Sequence, residues 1–302
     1  MAAALEIRGL RKTFKTSTFV AWRRRDADTF SLGPIDLAVP DGAIYGFVGP
    51  NGAGKTTTID LLFGMGAKDA GTVSVYGLDH LRDEVAVRQQ TAYVGPDLSF
   101  QSWRRVDRAL QFVRGFYPDW DQRRCDRMLA LFGLSPAAPI ATLSFGARTK
   151  LSLVMALSWR PRLLVLDEPT VGLDAIAKQA LFAELLALVR DEGRSVFISS
   201  HAITDLERFA DHVAMIKDGR ILFEGATDAI VDRYRMVEFM AGQAVDLGQQ
   251  PGLRVQQHEA GRWRVLLDRR QTSVGALARR GIVPIAESPV SLEDLFVALG
   301  RA

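Results

Sequence analysis

The sequence predicts an α/β chain: a mostly parallel sheet with helices on both faces and a helical subdomain set into it, followed by a small α+β domain. Three observations carry this expectation. Short apolar runs alternate with segments of helical spacing between residues 43 and 216, a glycine-rich turn joins one of those runs to a helix, and the texture of the chain changes past Gly225. Strands that alternate with helices imply parallel pairing, because each parallel strand needs a crossover that covers a face of the sheet.

Taken in order, Leu5–Arg8 alternates and reads as a first strand and Ile35–Val39 as a second, with Pro40-Asp41-Gly42 turning the chain after it. Between them, Lys15–Thr29 holds Trp22-Arg23-Arg24-Arg25 and few aliphatics, which predicts an inserted loop or a loose hairpin. Ala43–Val48 is a buried strand that runs into the glycine-rich turn, and a helix follows from about Lys55 to Phe63. Helical spacing then returns in Val106, Leu110 and Val113 and again in Met128, Leu129 and Phe132, broken at Tyr117-Pro118-Asp119. This is the helical subdomain, about residues 98–160, closed by a helix over 147–159. Next come a strand at Leu163–Leu166, a helix at Ala175–Arg190, a strand at Ser195–Ser199, a helix at Ala202–Ala210 and a strand at Val213–Ile216. In the last part Arg262–Leu267 partly alternates, Thr272–Arg279 suits a helix and Ile282–Ala286 a strand. Ser291-Leu292-Glu293-Asp294 opens a final helix in capping-box fashion. The expected division is 1–225 and 226–302.

Composition narrows the function classes. With 48% hydrophobic and 24% charged residues in 302, the chain is globular and not disordered or a coiled coil. Lys and Arg number 38 against 35 Asp and Glu, and a net charge of +3 is too small for a surface that tracks nucleic acid. The one cysteine, Cys125, forms no internal disulfide. No apolar run approaches the roughly 18–20 residues of a membrane-spanning helix, since Ser152 interrupts Leu151–Leu157 and Glu184 interrupts Leu181–Val189. The first residues have neither the basic start nor the apolar stretch of a secretory signal, so the expected compartment is the cytoplasm. Docking onto a membrane protein stays compatible with all of this.

Gly49-Pro50-Asn51-Gly52-Ala53-Gly54-Lys55-Thr56 fits G-x-x-x-x-G-K-[ST] completely and sits between a predicted strand and a predicted helix. Glycines let successive backbone N–H groups point into one hollow, where the helix N-terminus adds partial positive charge, and such a hollow binds phosphate. Lys55 is expected to reach the β- and γ-phosphates and the Thr56 hydroxyl to ligate Mg²⁺, with Thr57 continuing the loop. The strand Leu163–Leu166 ends in Asp167-Glu168-Pro169, and the carboxyl ends of parallel strands face the ligand crevice. Asp167 suits the Mg²⁺ ion through its water shell, and Glu168 suits the attacking water as general base. His201 follows the strand ending Ser199-Ser200, where imidazole would hydrogen-bond the γ-phosphate or the water. Alone, an Asp-Glu pair also serves as a turn, and a histidine after a strand is more often structural; their place beside a phosphate loop favours the chemistry. His80, His201, His212 and His258 are scattered and offer no zinc-site spacing.

Leu143-Ser144-Phe145-Gly146-Ala147 precedes the acidic strand and Gly172-Leu173-Asp174 follows it. With these motifs in this order the chain resembles the ATP-binding subunits of ABC transporters over about Leu5–Gly225. It is most similar to the exporter-type (ABC-2) subunits, whose small C-terminal domain ends in a Ser-Leu-Glu-Asp-like helix. The resemblance implies a P-loop NTPase fold of the ABC nucleotide-binding type, with ATP and Mg²⁺ as cofactors and ATP hydrolysis as the reaction. It makes the phosphate loop the Walker A motif, Leu163–Glu168 the Walker B motif and Leu143–Ala147 the signature, although Phe145 and Ala147 depart from the family's Gly and Gln. It puts Asp174 in the D-loop, His201 at the switch histidine and Phe14 where a ring stacks on adenine. Ser144, Gly146 and Asp174 would then act across a dimer in which two chains sandwich two ATP molecules. The family's Mg²⁺-contacting glutamine is missing after Thr91–Val94, where Gly95-Pro96-Asp97 stands, and Asp97 is the expected substitute at the metal. The implied partners are a transmembrane permease subunit and a second ATP-binding subunit, a homodimer, with no nucleic acid. The implied location is peripheral, on the cytoplasmic face of the cell membrane. Aromatics of Ser99–Trp120 are candidates for a groove that receives a helix of the permease. The alternative reading is a soluble ABC-type ATPase acting on nucleic acid or ribosomes, which the single phosphate loop and the absence of a heptad run disfavour.

Overall fold

The computed structural model describes residues 3–14, 30–96, 101–240, 252–259, 261–278 and 283–300. In β1 (Ala3–Thr13) Leu5, Ile7 and Leu10 point inward while Arg8 is exposed, and in β2 (Ser31–Pro40) Ile35, Leu37 and Val39 do the same. The period of two gives β2 one apolar face, and in β1 a register shift between Ile7 and Leu10 moves the pattern on by one residue. The strands pair antiparallel, with Leu5 opposite Val39 and Ile7 opposite Leu37. A hairpin of β4 (Ala70–Val75) and β5 (Leu78–Asp79) completes a four-stranded sheet in the order β2-β1-β4-β5. The sequence reading did not foresee this separate antiparallel layer.

The second sheet contains β3 (Ile44–Val48), β6 (Thr91–Val94), β7 (Leu163–Asp167), β8 (Ser195–Ser200), β9 (His212–Lys217) and β10 (Arg220–Ala226), in the order β10-β9-β3-β8-β7-β6. The pairs β3–β8, β3–β9, β6–β7 and β7–β8 are parallel, as alternation with helices predicted. Every residue of β3 and β7 is buried, the continuous apolar pattern of strands covered on both faces. Apolar residues of both sheets and of α1 (Lys55–Leu62), among them Phe47, Phe197, Ile216 and Ile59, meet in one core.

The remaining helices of this part are α2 (Glu84–Arg88), α3 (Val106–Arg114), α4 (Gln122–Leu131), α5 (Phe145–Ser158) and α6 (Ala175–Glu192). Helix α5 starts two residues before the expected position, because the Ser144 side chain accepts from the Ala147 N–H and so sets the cap. The buried Arg124 guanidinium on α4 meets Glu184 and Glu192 of α6, at 3.4 and 2.7 Å, which pins the helical region to the α6 layer.

The chain divides into two compact units, residues 1–202 with 209–223 and residues 203–208 with 224–302. The helix expected over Ala202–Ala210 is only α7 (Ile203–Glu207). Phe209 turns in against Phe182, ring centroids 4.3 Å apart, and Asp211 N–H donates to the Ile44 carbonyl, so the helix cannot continue. The second unit adds α8 (Thr227–Arg233), β11 (Tyr234–Met240), β12 (Leu253–Glu259), β13 (Arg262–Asp268), α9 (Val274–Ala278), β14 (Pro284–Pro289) and α10 (Leu292–Gly300). Its sheet runs β12-β13-β11-β14, all antiparallel, over a core of Val237, Phe239, Val265, Leu267 and Leu277. The capping box is present: Asp294 N–H donates to the Ser291 hydroxyl at 3.0 Å and Ser291 N–H to the Asp294 carboxylate at 3.1 Å. No described helix is long and apolar enough to cross a membrane.

Candidate active site

Strand β3 delivers the chain to Gly49, where a Cβ would stand 2.2 Å from the Ile216 carbonyl oxygen of β9, so only glycine permits this approach. Gly54 has φ +108° and caps α1 without a side chain. The first N–H groups of α1 therefore have no intrahelical acceptor and open onto the loop, together with the positive end of the helix dipole. Lys55 is buried and folds back over the loop, its Nζ donating to the carbonyls of Gly49 at 2.7 Å and Pro50 at 3.1 Å. Asn51, Gly52 and Thr56 are exposed, Ala53 is buried and Thr57 is half-buried.

Parallel register sets Asp167, at the end of β7, opposite Ser199 on β8. The Ser199 hydroxyl donates to Asp167 Oδ1 at 2.5 Å and accepts from Glu168 N–H at 3.0 Å, so one serine holds both acidic residues. Sequence reasoning missed it, because its part comes from the register of β7 against β8. Asp167 Oδ2 is buried without a hydrogen-bond partner. A buried carboxylate oxygen left open, beside a loop that offers a threonine hydroxyl, is a donor set that fits Mg²⁺. Among the described residues no group of three or more His, Cys, Asp or Glu is placed to hold a metal ion by itself.

Glu168 has φ +51°, a backbone conformation that a residue with a Cβ rarely adopts. Its Oε2 accepts from His201 Nδ1 at 2.7 Å, and its Oε1 lies 3.0 Å from Lys55 Nζ. The carboxylate thus bridges the lysine of the phosphate loop and the histidine at the end of β8, joining three of the expected residues in one chain of contacts. A carboxylate so held is oriented to accept a proton from water at the crevice, and the half-exposed imidazole keeps a second nitrogen for another partner.

Ser144, Gly146 and Asp174 form a second group. A Cβ on Gly146 would lie 2.2 Å from the Gly172 carbonyl oxygen, so the start of α5 packs directly on the turn that leads to α6. Asp174 caps α6 by accepting from Ala177 N–H at 2.8 Å and pairs with Lys150 of α5 at 3.0 Å. These two contacts, the backbone one first, hold its carboxyl below the usual carboxylate range. Among the described residues no hydrogen bond or ion pair joins this group to Lys55, Glu168 or His201. Phe14 is 45% exposed at the rim of a cavity that it shares with Lys12, Thr13 and Asp69. Its ring lies 6.2 Å from Phe30, which in turn abuts Gly54 of the loop. Asp97 and the basic triplet Arg23–Arg25 lie outside the described residues, whereas Pro96 is exposed just past β6.

A strand, glycine loop and helix beside an acidic strand end define a nucleotide-binding α/β protein of the phosphate-loop class. The sequence profile of the ABC transporter family matches residues 32–171. A Nod factor export ATP-binding protein I from Burkholderia orbicola (strain AU 1054) is 33% identical over 219 residues, covering 69% of this chain and 70% of the relative. The bacitracin transport ATP-binding protein BcrA of Bacillus licheniformis is 28% identical over 89% of this chain and 92% of its own. A solved ATP-binding subunit of an ABC transporter superposes with a TM-score of 0.66 at 25% identity, over 76% of this chain and 92% of that one. The chain belongs to the ABC transporter family, among its ATP-binding subunits, and its activity is the binding and hydrolysis of ATP.

Proposed function

We propose that residues 1–225 form the ATP-binding and ATP-hydrolysing domain of an exporter-type transporter, that 226–302 form an accessory domain, and that the chain drives a separate membrane permease. The observation that carries this is the bridge from Lys55 through Glu168 to His201 at the mouth of the phosphate loop. In this reading the loop from Gly49 to Thr57 cradles the phosphates and Lys55 exchanges its carbonyl partners for β- and γ-phosphate oxygens. Phe14 stacks on the adenine. Thr56 and Asp167 hold Mg²⁺, which when bound neutralises phosphate charge. Glu168 orients the attacking water and takes its proton, and His201 positions Glu168 and the γ-phosphate region. Ser144 and Gly146, at the N-terminus of α5, and Asp174 serve the nucleotide of a second copy of this chain. Asp97 remains the proposed substitute for the missing glutamine at the metal.

Transport names among the relatives, Nod factor export and bacitracin transport, support a membrane partner for this chain also. The absence of a spanning helix among the described residues is compatible with a peripheral location on the cytoplasmic face. The test is phosphate release by the purified chain with Mg²⁺. Wild type hydrolyses ATP, while Glu168→Gln binds ATP as tightly and loses roughly 10²- to 10⁴-fold in rate. Equal hydrolysis by both would overturn the assignment.

A further inference from the structure

The same strands that carry the acidic residues at one end border a large cavity at the other. Gln90, Arg162 and Arg194, each one residue before β6, β7 and β8, line a space of about 1250 Å³. Arg162 lies five residues before Asp167, so the cavity lies about 16 Å along the sheet from that carboxylate, at roughly 3.3 Å per residue. It is a different site from the phosphate loop.

Its lining is basic and aromatic. Arg88, Arg123, Arg160, Arg162 and Arg194 face it, against Asp119 and Asp121. Arg160 is fixed by Asp121 at 2.8 Å, and Arg162 by Asp41 at 3.2 Å and by stacking on Tyr76, 3.6 Å from the ring centroid. Arg123 and Arg194 have no carboxylate within ion-pair distance among the described residues, and Nε of Arg194 is buried without an acceptor. A buried guanidinium N–H is costly to leave unmade, and a phosphate is the partner whose geometry suits the guanidinium fork. Flat rings stand beside these groups. Tyr117 stacks on Trp159 at 4.2 Å and 11°, Trp120 is half-buried with its indole N–H on Gln122 at 3.1 Å, and Phe116 is 65% exposed. An exposed ring and a half-buried one, Phe116 and Trp120, next to arginines are the combination that holds a base by stacking and its phosphate by ion pairing. The volume exceeds the roughly 300–1,000 Å³ of ordinary small-ligand pockets, which leaves room for more than one base.

We propose that this cavity is a second nucleotide site, separate from the ATP site, in which Arg123 and Arg194 take the phosphate and Trp120 and Phe116 stack on the base. It selects nucleotides that lack the Mg-triphosphate for which the phosphate loop is built. The test is calorimetric titration of the full-length chain, saturated with MgADP, using AMP and cyclic di-AMP as probes. The expected result is one further equivalent of at least one probe per chain. Binding should weaken at least 10-fold in the double variant Arg123→Ala/Arg194→Ala and in Trp120→Ala, with MgADP affinity unchanged in both. Should the double variant lose MgADP binding, Arg123→Ala alone, on an exposed side chain, decides by the same 10-fold criterion. No heat with either probe, binding indifferent to these substitutions, or displacement of the probe by additional MgADP would each overturn the proposal.

Discussion

The group around Lys55 and the group around Ser144 are built from the same kinds of residue and reach opposite states. Lys55, Asp167, Glu168 and Ser199 are buried or nearly so, and their polar atoms answer one another across three elements. Ser144 and Asp174 instead cap their own helices, and Asp174 is 61% exposed with its remaining partner, Lys150, on the neighbouring helix. The first group closes within one chain. The second presents its helix start and capping groups outward, where the proposed second copy would bring a nucleotide. Phe145, 46% exposed beside Gly172, lies on the same outward surface.

Substitutions separate the two groups, beginning with the largest effect. Lys55→Ala removes a side chain that spans from the loop carbonyls to Glu168, and ATP affinity should fall roughly 10- to 150-fold, the equivalent of about 1.5–3 kcal/mol for a charge-assisted hydrogen bond, measured by equilibrium binding. Retained affinity would mean that the buried group does not bind phosphate. Gly146→Ala drives a Cβ into the Gly172 backbone, so an overpacking cost of about 1–3 kcal/mol should appear in a urea titration, whether or not a second chain is present. Ser144→Ala loses a cap worth about 1 kcal/mol, and the melting temperature should drop by roughly 2–4 °C. If ATPase activity falls no further than this loss of fold predicts, Ser144 is a cap and nothing more.

The smallest effect is a pH dependence. The Asp174 carboxyl is depressed by the Ala177 N–H and then by Lys150, so it stabilises the fold above the unfolded value of about 3.9 and loses that contribution as pH falls through its lower folded value. The urea midpoint of Asp174→Ala should accordingly lie below wild type at pH 7, and the gap should narrow below about pH 4. A gap that widens in acid would contradict the capping geometry.

What could be read from the sequence follows the same division. The phosphate loop and the Asp167-Glu168 strand end were legible because their chemistry lies in contiguous residues, and the parallel sheet because strand and helix alternate along the chain. Ser199 was not legible, since its role arises from the register of β7 against β8 and not from any local pattern. Neither was the antiparallel layer of β1, β2, β4 and β5, whose partners are up to 70 residues apart, as in the pair Leu5–Val75. Central strand β11 was missed as well, because Tyr234–Met240 buries residues on both faces and so hides the alternation that marks a strand. Lys150 escaped for a similar reason: it meets Asp174 only once α5 and α6 pack side by side.

Sedimentation of Glu168→Gln with and without ATP and Mg²⁺ tests the central claim most directly. If the exposed Ser144 group completes the buried site of a second copy, the variant binds ATP without consuming it and sediments as a dimer with ATP and as a monomer without. A chain that stays monomeric at saturating ATP, with hydrolysis equal to wild type, would contradict it.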